Sequence, residues 1–379
     1  MVSLNKLSST TTLFIRKMKC IRMLILPVLV VVLYKCWPNA DELNSVESLI
    51  VQSHWIEYPE SSFRIAFSIR AYQDAAHVVR LLYAIYRPQN YYCIHISRQM
   101  DFAYRQKIME GLAALRKNVF LVPENKEIYV NLTKITRVEA DLICAKILME
   151  RKLEWYYWIN LDGDEYPLKT NWEMTTALKL FNRKNLVEGK KLQSFTDKKK
   201  LQNYLDLNIN WMSGSEQVGV GSSFIEFVLQ NQMAGLLLDA FRGYEEDHEM
   251  KTSPAESYFA TLNYNPHIFH APGSVNLSAK YVAETPILAY FPNREKTCQY
   301  EYLVTIQVCR WSRKDLPLLK AHPHFFANAF EPQERKEIIS QLERWHRQKQ
   351  RYEVRHLKLH PAFNARYYTS NQFEISDAK

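Results

Sequence analysis

Two short stretches hold carboxylates placed where they could do chemistry. In SPAESYFATL (253–262), Glu256 stands three residues after Ser253 and just ahead of the aromatic pair Tyr258 and Phe259. One reading is structural: Ser253 caps a helix, Pro254 takes its first position, and Glu256 reaches back to close a capping box. The other is that Glu256, fixed at a rigid helix start, is a general base that takes a proton from a hydroxyl. In DGDEYP (162–167), Asp162 and Asp164 form an Asp-x-Asp. Oxygen ligands on a hard cation suit Mg or Mn, which could brace a diphosphate. The plain alternative is an acidic turn in which Gly163 adopts a positive φ.

The elements that must position these residues are legible in the apolar pattern. RIAFSIRAY (64–72), YYCIHIS (91–97), NVFLV (118–122) and WYYWINL (155–161) read as strands, separated by helical patterns over 74–86, 101–116 and 136–152. Strand–helix alternation of this kind builds an α/β fold, a mostly parallel central sheet flanked by helices. Ligands of such sheets sit at the carboxyl ends of the strands, and DGDEYP follows one directly. Farther on, 222–241 has the spacing of a single helix with a buried face, and 332–352 reads as a surface helix docking Ile338, Leu342 and Trp345. His322 with His324, and His267 with His270, lack a third ligand at a fixed offset and read as structural.

The chain has 379 residues and a formal charge of +9, with scattered Lys and Arg and no zinc-finger, helix-turn-helix or RNA-binding signature. Nucleic acid is therefore not expected as a partner. Near the N-terminus the basic RKMKCIR precedes MLILPVLVVVLY (23–34) and Lys35. The run is short of the roughly 20 residues of a typical span, but snorkelling by Arg22 and Lys35 lengthens it toward a thin-membrane anchor. Positive charge before it keeps that end cytoplasmic and sends the rest into the lumen. A cleaved signal peptide is the alternative, although no small-residue cleavage site follows closely. Of six cysteines, Cys20 and Cys36 flank the run; Cys93, Cys144, Cys298 and Cys309 remain. In an oxidising lumen these suit two disulfides, with three pairings open. Asn131-Leu132-Thr133 and Asn276-Leu277-Ser278 are N-glycosylation sequons.

Several segments together, in order, resemble the core 2/I-branching β-1,6-N-acetylglucosaminyltransferases of glycosyltransferase family 14. They are 67–97, RVEADLICAK (137–146), YWINLDGDEYPLKTN (157–171), 213–231, SPAESYFATL and HFFANAF (324–330). The resemblance implies a GT-A-like nucleotide-sugar transferase fold in a single-pass type II Golgi membrane protein. It also implies inverting transfer of GlcNAc from UDP-GlcNAc to a glycan acceptor, without a metal cofactor. The expected organisation is a cytoplasmic tail 1–22, a transmembrane signal anchor 23–36, a stem 37–62, a lumenal glycosyltransferase domain 63–352 and a C-terminal tail 353–379.

Residue by residue, the resemblance implies Glu256 as base, disulfides Cys93–Cys144 and Cys298–Cys309, and acceptor contacts at Glu188, Lys199 and Tyr290. A neighbouring Asp of the family is Ala255 here, and a Trp is Leu288. The departures cluster at the diphosphate: an Arg and a Lys that neutralise it in the family fall on Ile306 and Ala329. Where familiar members read LCGMD this chain reads LDGDE, so Asp162 and Asp164 could hold Mn or Mg in place of the lost cations. Arg310, Arg313 or Lys314 could also have taken that role. Another donor such as UDP-xylose, or a non-catalytic Golgi glycan-binding protein on the same fold, are the alternative functions.

Overall fold

The computed structural model describes residues 60–379 except 116, 193, 249–252, 276–280, 283–284, 290–309, 370–375 and 378–379. The anchor, most of the stem, Tyr290, Cys298, Cys309, Ile306 and Asn276 thus lie outside the described residues, and no described helix is long and apolar enough to cross a membrane.

The first half alternates as its apolar pattern predicts. In chain order come β1 (Ile65–Ala71), α1 (Ala75–Ile85), β2 (Tyr91–Ile96), α2 (Phe102–Gly111), β3 (Val119–Leu121), α3 (Thr136–Glu150) and β4 (Tyr157–Asp162). β1 is buried along its whole length, as a central strand covered on both faces must be. Then follow β5 (Tyr166–Pro167), α4 (Asn171–Leu180), β6 (Lys190–Lys191), α5 (Phe195–Leu201), β7 (Met212–Ser213) and β8 (Gly219–Gly221). The main sheet has the order β3-β2-β1-β4-β8, parallel except for β8, which runs antiparallel to β4. It is a mixed α/β sheet with its parallel strands at the centre.

The expected single helix over 222–241 is two: α6 (Ser222–Gln230) and α7 (Gln232–Asp247). Asn231 takes extended backbone at φ −82°, ψ 128°, and its side chain caps α7 by accepting from the Met233 amide at 2.8 Å. An apolar stripe alone does not show such a break, because both halves bury the same face. α8 (Pro254–Asn263) carries Glu256 and packs against β7 and α7.

A second small sheet forms from β9 (Leu288–Ala289), β10 (Phe326–Ala327) and β5, with α9 (Leu316–Ala321) and α10 (Arg335–His356) over it. Its own core includes Trp311, Phe330, Ile338 and Leu342. α10 continues past residue 352, and Tyr368 is buried, so the expected tail boundary falls inside an ordered helix. His322 and His324 sit with ring centroids 4.6 Å apart beside Trp311, in packing roles.

Candidate active site

Parallel pairing puts Arg70 of β1 directly beside Asp162 of β4, at the carboxyl ends of both strands. Arg70 has no exposed side-chain surface. A guanidinium so placed is tolerable only if every donor finds a partner. Its Nε donates to Asp162 Oδ1 at 2.7 Å, Nη1 to Asp141 Oδ2 at 2.8 Å and Nη2 to Glu216 Oε1 at 3.2 Å. Those carboxylates come from β4, α3 and the β7–β8 segment. Arg137, in the first turn of α3, pairs with the other oxygen of Asp162 and with Glu216. Asn160 completes the web, donating to Asp141 at 2.7 Å and to the Glu216 carbonyl at 2.8 Å while accepting from the Val218 amide at 2.7 Å.

This arrangement differs from the expected metal site. Both oxygens of Asp162 are occupied by guanidiniums, which would have to be displaced before a divalent ion could bind. Burial alone would raise the Asp162 carboxyl, yet Arg137 and Arg70 hold it below its ordinary range. Asp164 faces another way: its Oδ1 accepts from Asn328 Nδ2 at 3.3 Å, and burial and the Asp162 charge push its carboxyl up. Among the described residues no group of three His, Cys, Asp or Glu side chains could hold a metal ion. The donor set therefore does not fit Mg or Mn. Gly163 is also not at positive φ; its small size is needed because a Cβ would stand 2.9 Å from the Arg70 carbonyl and 2.6 Å from a Val78 methyl.

Glu256 occupies the third position of α8, but the capping box does not form. Ser253 makes no side-chain cap bond; its hydroxyl instead donates to the Thr133 carbonyl at 3.3 Å, and the Glu256 amide donates to the Ser253 carbonyl at 3.0 Å. The helix is fixed by other means. The Gly214 amide donates to the Glu256 carbonyl at 2.8 Å, Tyr258 donates to the Ala234 carbonyl at 3.2 Å, and Phe259 packs on Trp158. The Glu256 carboxylate is half-buried, and no described residue hydrogen-bonds it. Burial raises its pKa, while Arg137 first and Lys190 second draw it back down.

Of the acceptor residues implied by resemblance, Glu188 is brought close. A Cβ at Gly214 would stand 2.0 Å from the Glu188 carbonyl, so Gly214 is the thin point at which the Glu188 and Glu256 segments meet. Lys199 lies exposed on α5, with no described interaction linking it to Glu256. Arg313 is exposed, its amide donating to Glu334 at 2.6 Å; Arg310 is half-buried beside Trp311, whose amide donates to the Ala329 carbonyl at 2.8 Å. Cys93 and Cys144 form a disulfide that ties β2 to α3. The Asn131 side chain accepts from the Thr133 amide and hydroxyl, both at 3.0 Å.

Three residues at the site carry little or no local signal. Arg70 had one, a charge inside a strand that is otherwise apolar but for Ser68; Arg137 and Glu216 had none, because their partners are distant in sequence.

A sequence model of the Core-2/I-Branching enzyme family matches residues 65–339. Among curated relatives, a bovine β-1,3-galactosyl-O-glycosyl-glycoprotein β-1,6-N-acetylglucosaminyltransferase is 30% identical, over 78% of this chain and 74% of its own length. Its human counterpart is also 30% identical over the same shares. The human N-acetyllactosaminide β-1,6-N-acetylglucosaminyl-transferase is 28% identical over 82% of this chain and 79% of its own. With the family match spanning most of the α/β unit, including Arg70, Asp162 and Glu256, this chain belongs to the Core-2/I-branching enzyme family.

Proposed function

We propose that this glycosyltransferase moves GlcNAc from UDP-GlcNAc to a hydroxyl of a glycan acceptor with inversion at the sugar carbon, and that Glu256 is its general base. The relatives' named activities support the transferred sugar and the acceptor class. The observation that carries the mechanism is the Glu256 carboxylate: half-buried, not spent on a cap, and without a hydrogen bond from any described residue. In the step itself the acceptor oxygen attacks C1 as its proton passes to Glu256. The bond from C1 to the diphosphate oxygen breaks, and its electron pair leaves with UDP. Burial raises the Glu256 pKa, and Arg137 opposes that rise, favouring the ionised form the base needs.

The reading needs no divalent ion at Asp162, whose oxygens are committed to Arg70 and Arg137. It also places the chain in the Golgi membrane, anchored by residues 23–36 with its catalytic part in the lumen. The Cys93–Cys144 bridge is at home in that oxidising compartment.

Glu256→Gln keeps the shape and removes the base. Transfer from UDP-GlcNAc to a core 1 or N-acetyllactosamine acceptor should fall by roughly 10²–10⁴-fold in kcat, with the melting temperature nearly unchanged. Unimpaired turnover by that variant would remove Glu256 from the mechanism.

A further inference from the structure

The departing diphosphate carries away the electron pair of its bond to C1, so positive charge must face it, and such pre-placed charge is among the larger contributions to catalysis. Three guanidiniums stand around the carboxyl end of β4. Arg70 has no exposed surface and is committed to three carboxylates. Arg137 is committed to Asp162 and Glu216. Arg335 differs from both in bonding a backbone carbonyl and not a carboxylate.

Arg335 is the first residue of α10 and is half-buried. Its Nη2 donates to the backbone carbonyl of Asp164 at 3.3 Å, not to a carboxylate, and its Nε is shielded from water without a hydrogen-bond partner. It forms no ion pair with a described carboxylate; its electrostatic neighbours are Asp164 and His77. A buried donor left unmet in a well-formed structure calls for a ligand or another explanation. The turn that Arg335 bonds is itself fixed. β10 pairs with β5 so that Ala327 lies opposite Tyr166, which carries Asn328 over the Asp162–Asp164 turn, where its amide bonds Asp164. Ala329, next in the chain, brings no charge of its own.

We propose that Arg335 is the guanidinium that binds the departing diphosphate of the nucleotide sugar, held at the end of β4 through the Asp164 carbonyl. This rests on the transferase reading above. A planar fork of N–H donors matches phosphate oxygens two at a time, which a lysine cannot do. The N-terminus of the 22-residue α10 adds positive potential at the same place.

The test is calorimetry on the purified full chain with two probes, UDP and uridine, for wild type, Arg335→Gln, Arg335→Lys and Arg344→Gln, an exposed arginine of the same helix. UDP affinity should drop about 10–100-fold in Arg335→Gln, recover in part in Arg335→Lys, and hold in Arg344→Gln. Uridine, which has no phosphates, should bind all four alike. Equal losses for UDP and uridine would make Arg335 a structural residue and overturn the proposal, as would unchanged UDP binding in Arg335→Gln. If Arg335→Gln fails to fold, the Lys variant alone decides: UDP affinity indistinguishable from wild type for UDP with normal uridine binding overturns bidentate recognition. A wild type that binds no UDP would remove the transferase reading along with this one, whereas wild-type binding that survives Arg335→Gln removes only this one.

Discussion

Glu256 is subject to two opposed effects: its half-buried position favours the neutral acid, and the cations Arg137 and Lys190 favour the carboxylate. Burial is the larger, so the folded-state pKa lies above the ordinary glutamate value. A base works only when deprotonated, so the acid limb of kcat/KM should lie at higher pH than a free glutamate would give. Removing a cation removes a force that lowers the pKa. Lys190→Gln should therefore move the limb to still higher pH, and Arg137→Gln should move it further, because Arg137 acts more strongly. Since Lys190 is exposed, its effect should shrink as salt is added. A pH–rate profile of the three proteins at low and high ionic strength checks this; a limb that stays put, or moves to lower pH, would mean that another group is the base.

At the scale of elements, the unit to explain is the web that joins β1, α3, β4 and the β7–β8 segment. Asp162 is almost fully buried between two guanidiniums, so Asp162→Asn leaves both undercompensated and should destabilise the fold by about 3 kcal/mol. Millimolar Mn should not shift the wild-type melting temperature, since a ligand that binds only the native state must raise it. A Mn-induced rise that disappears in Asp162→Asn would restore the metal reading. The same web shows what the sequence could convey. Strands β1 to β4 and helix α1 were readable because each is a local apolar pattern, whereas α2 buries only Ile108. The meaning of Asp-x-Asp was not, because Arg70 lies 92 residues from Asp162 and 146 from Glu216, and only the tertiary fold, with β1 and β4 parallel and the β7–β8 segment beside them, brings them together. The capping box failed for a similar reason: Thr133, 120 residues away, engages the Ser253 hydroxyl. Local spacing proposes partners, and tertiary neighbours replace them.

Across the whole molecule, the catalytic reading depends on one helix being held against one sheet. α3 carries both Arg137 and Asp141, and its apolar side offers Val138, Ala145 and Leu148 to the main core. Packing alone would leave its position along β1 and β2 to side-chain contacts; the Cys93–Cys144 bridge fixes it covalently, with both sulfurs fully buried. The bridge closes a loop of 51 residues, which by chain entropy is worth on the order of 4 kcal/mol. For a domain of this size that corresponds to a fall in melting temperature of roughly 5–10 °C when the bridge is absent. Cys93→Ala with Cys144→Ala is the direct comparison, since reductant reaches buried sulfurs slowly. Because α3 also presents Arg137 to Glu256, the loss should extend to function. Below its melting temperature the double variant should show reduced kcat and an acid limb displaced to higher pH, as in Arg137→Gln. If the variant melts lower but keeps the wild-type pH profile, the bridge contributes stability alone, and the position of Arg137 is set by its pairing with Asp162 and Glu216.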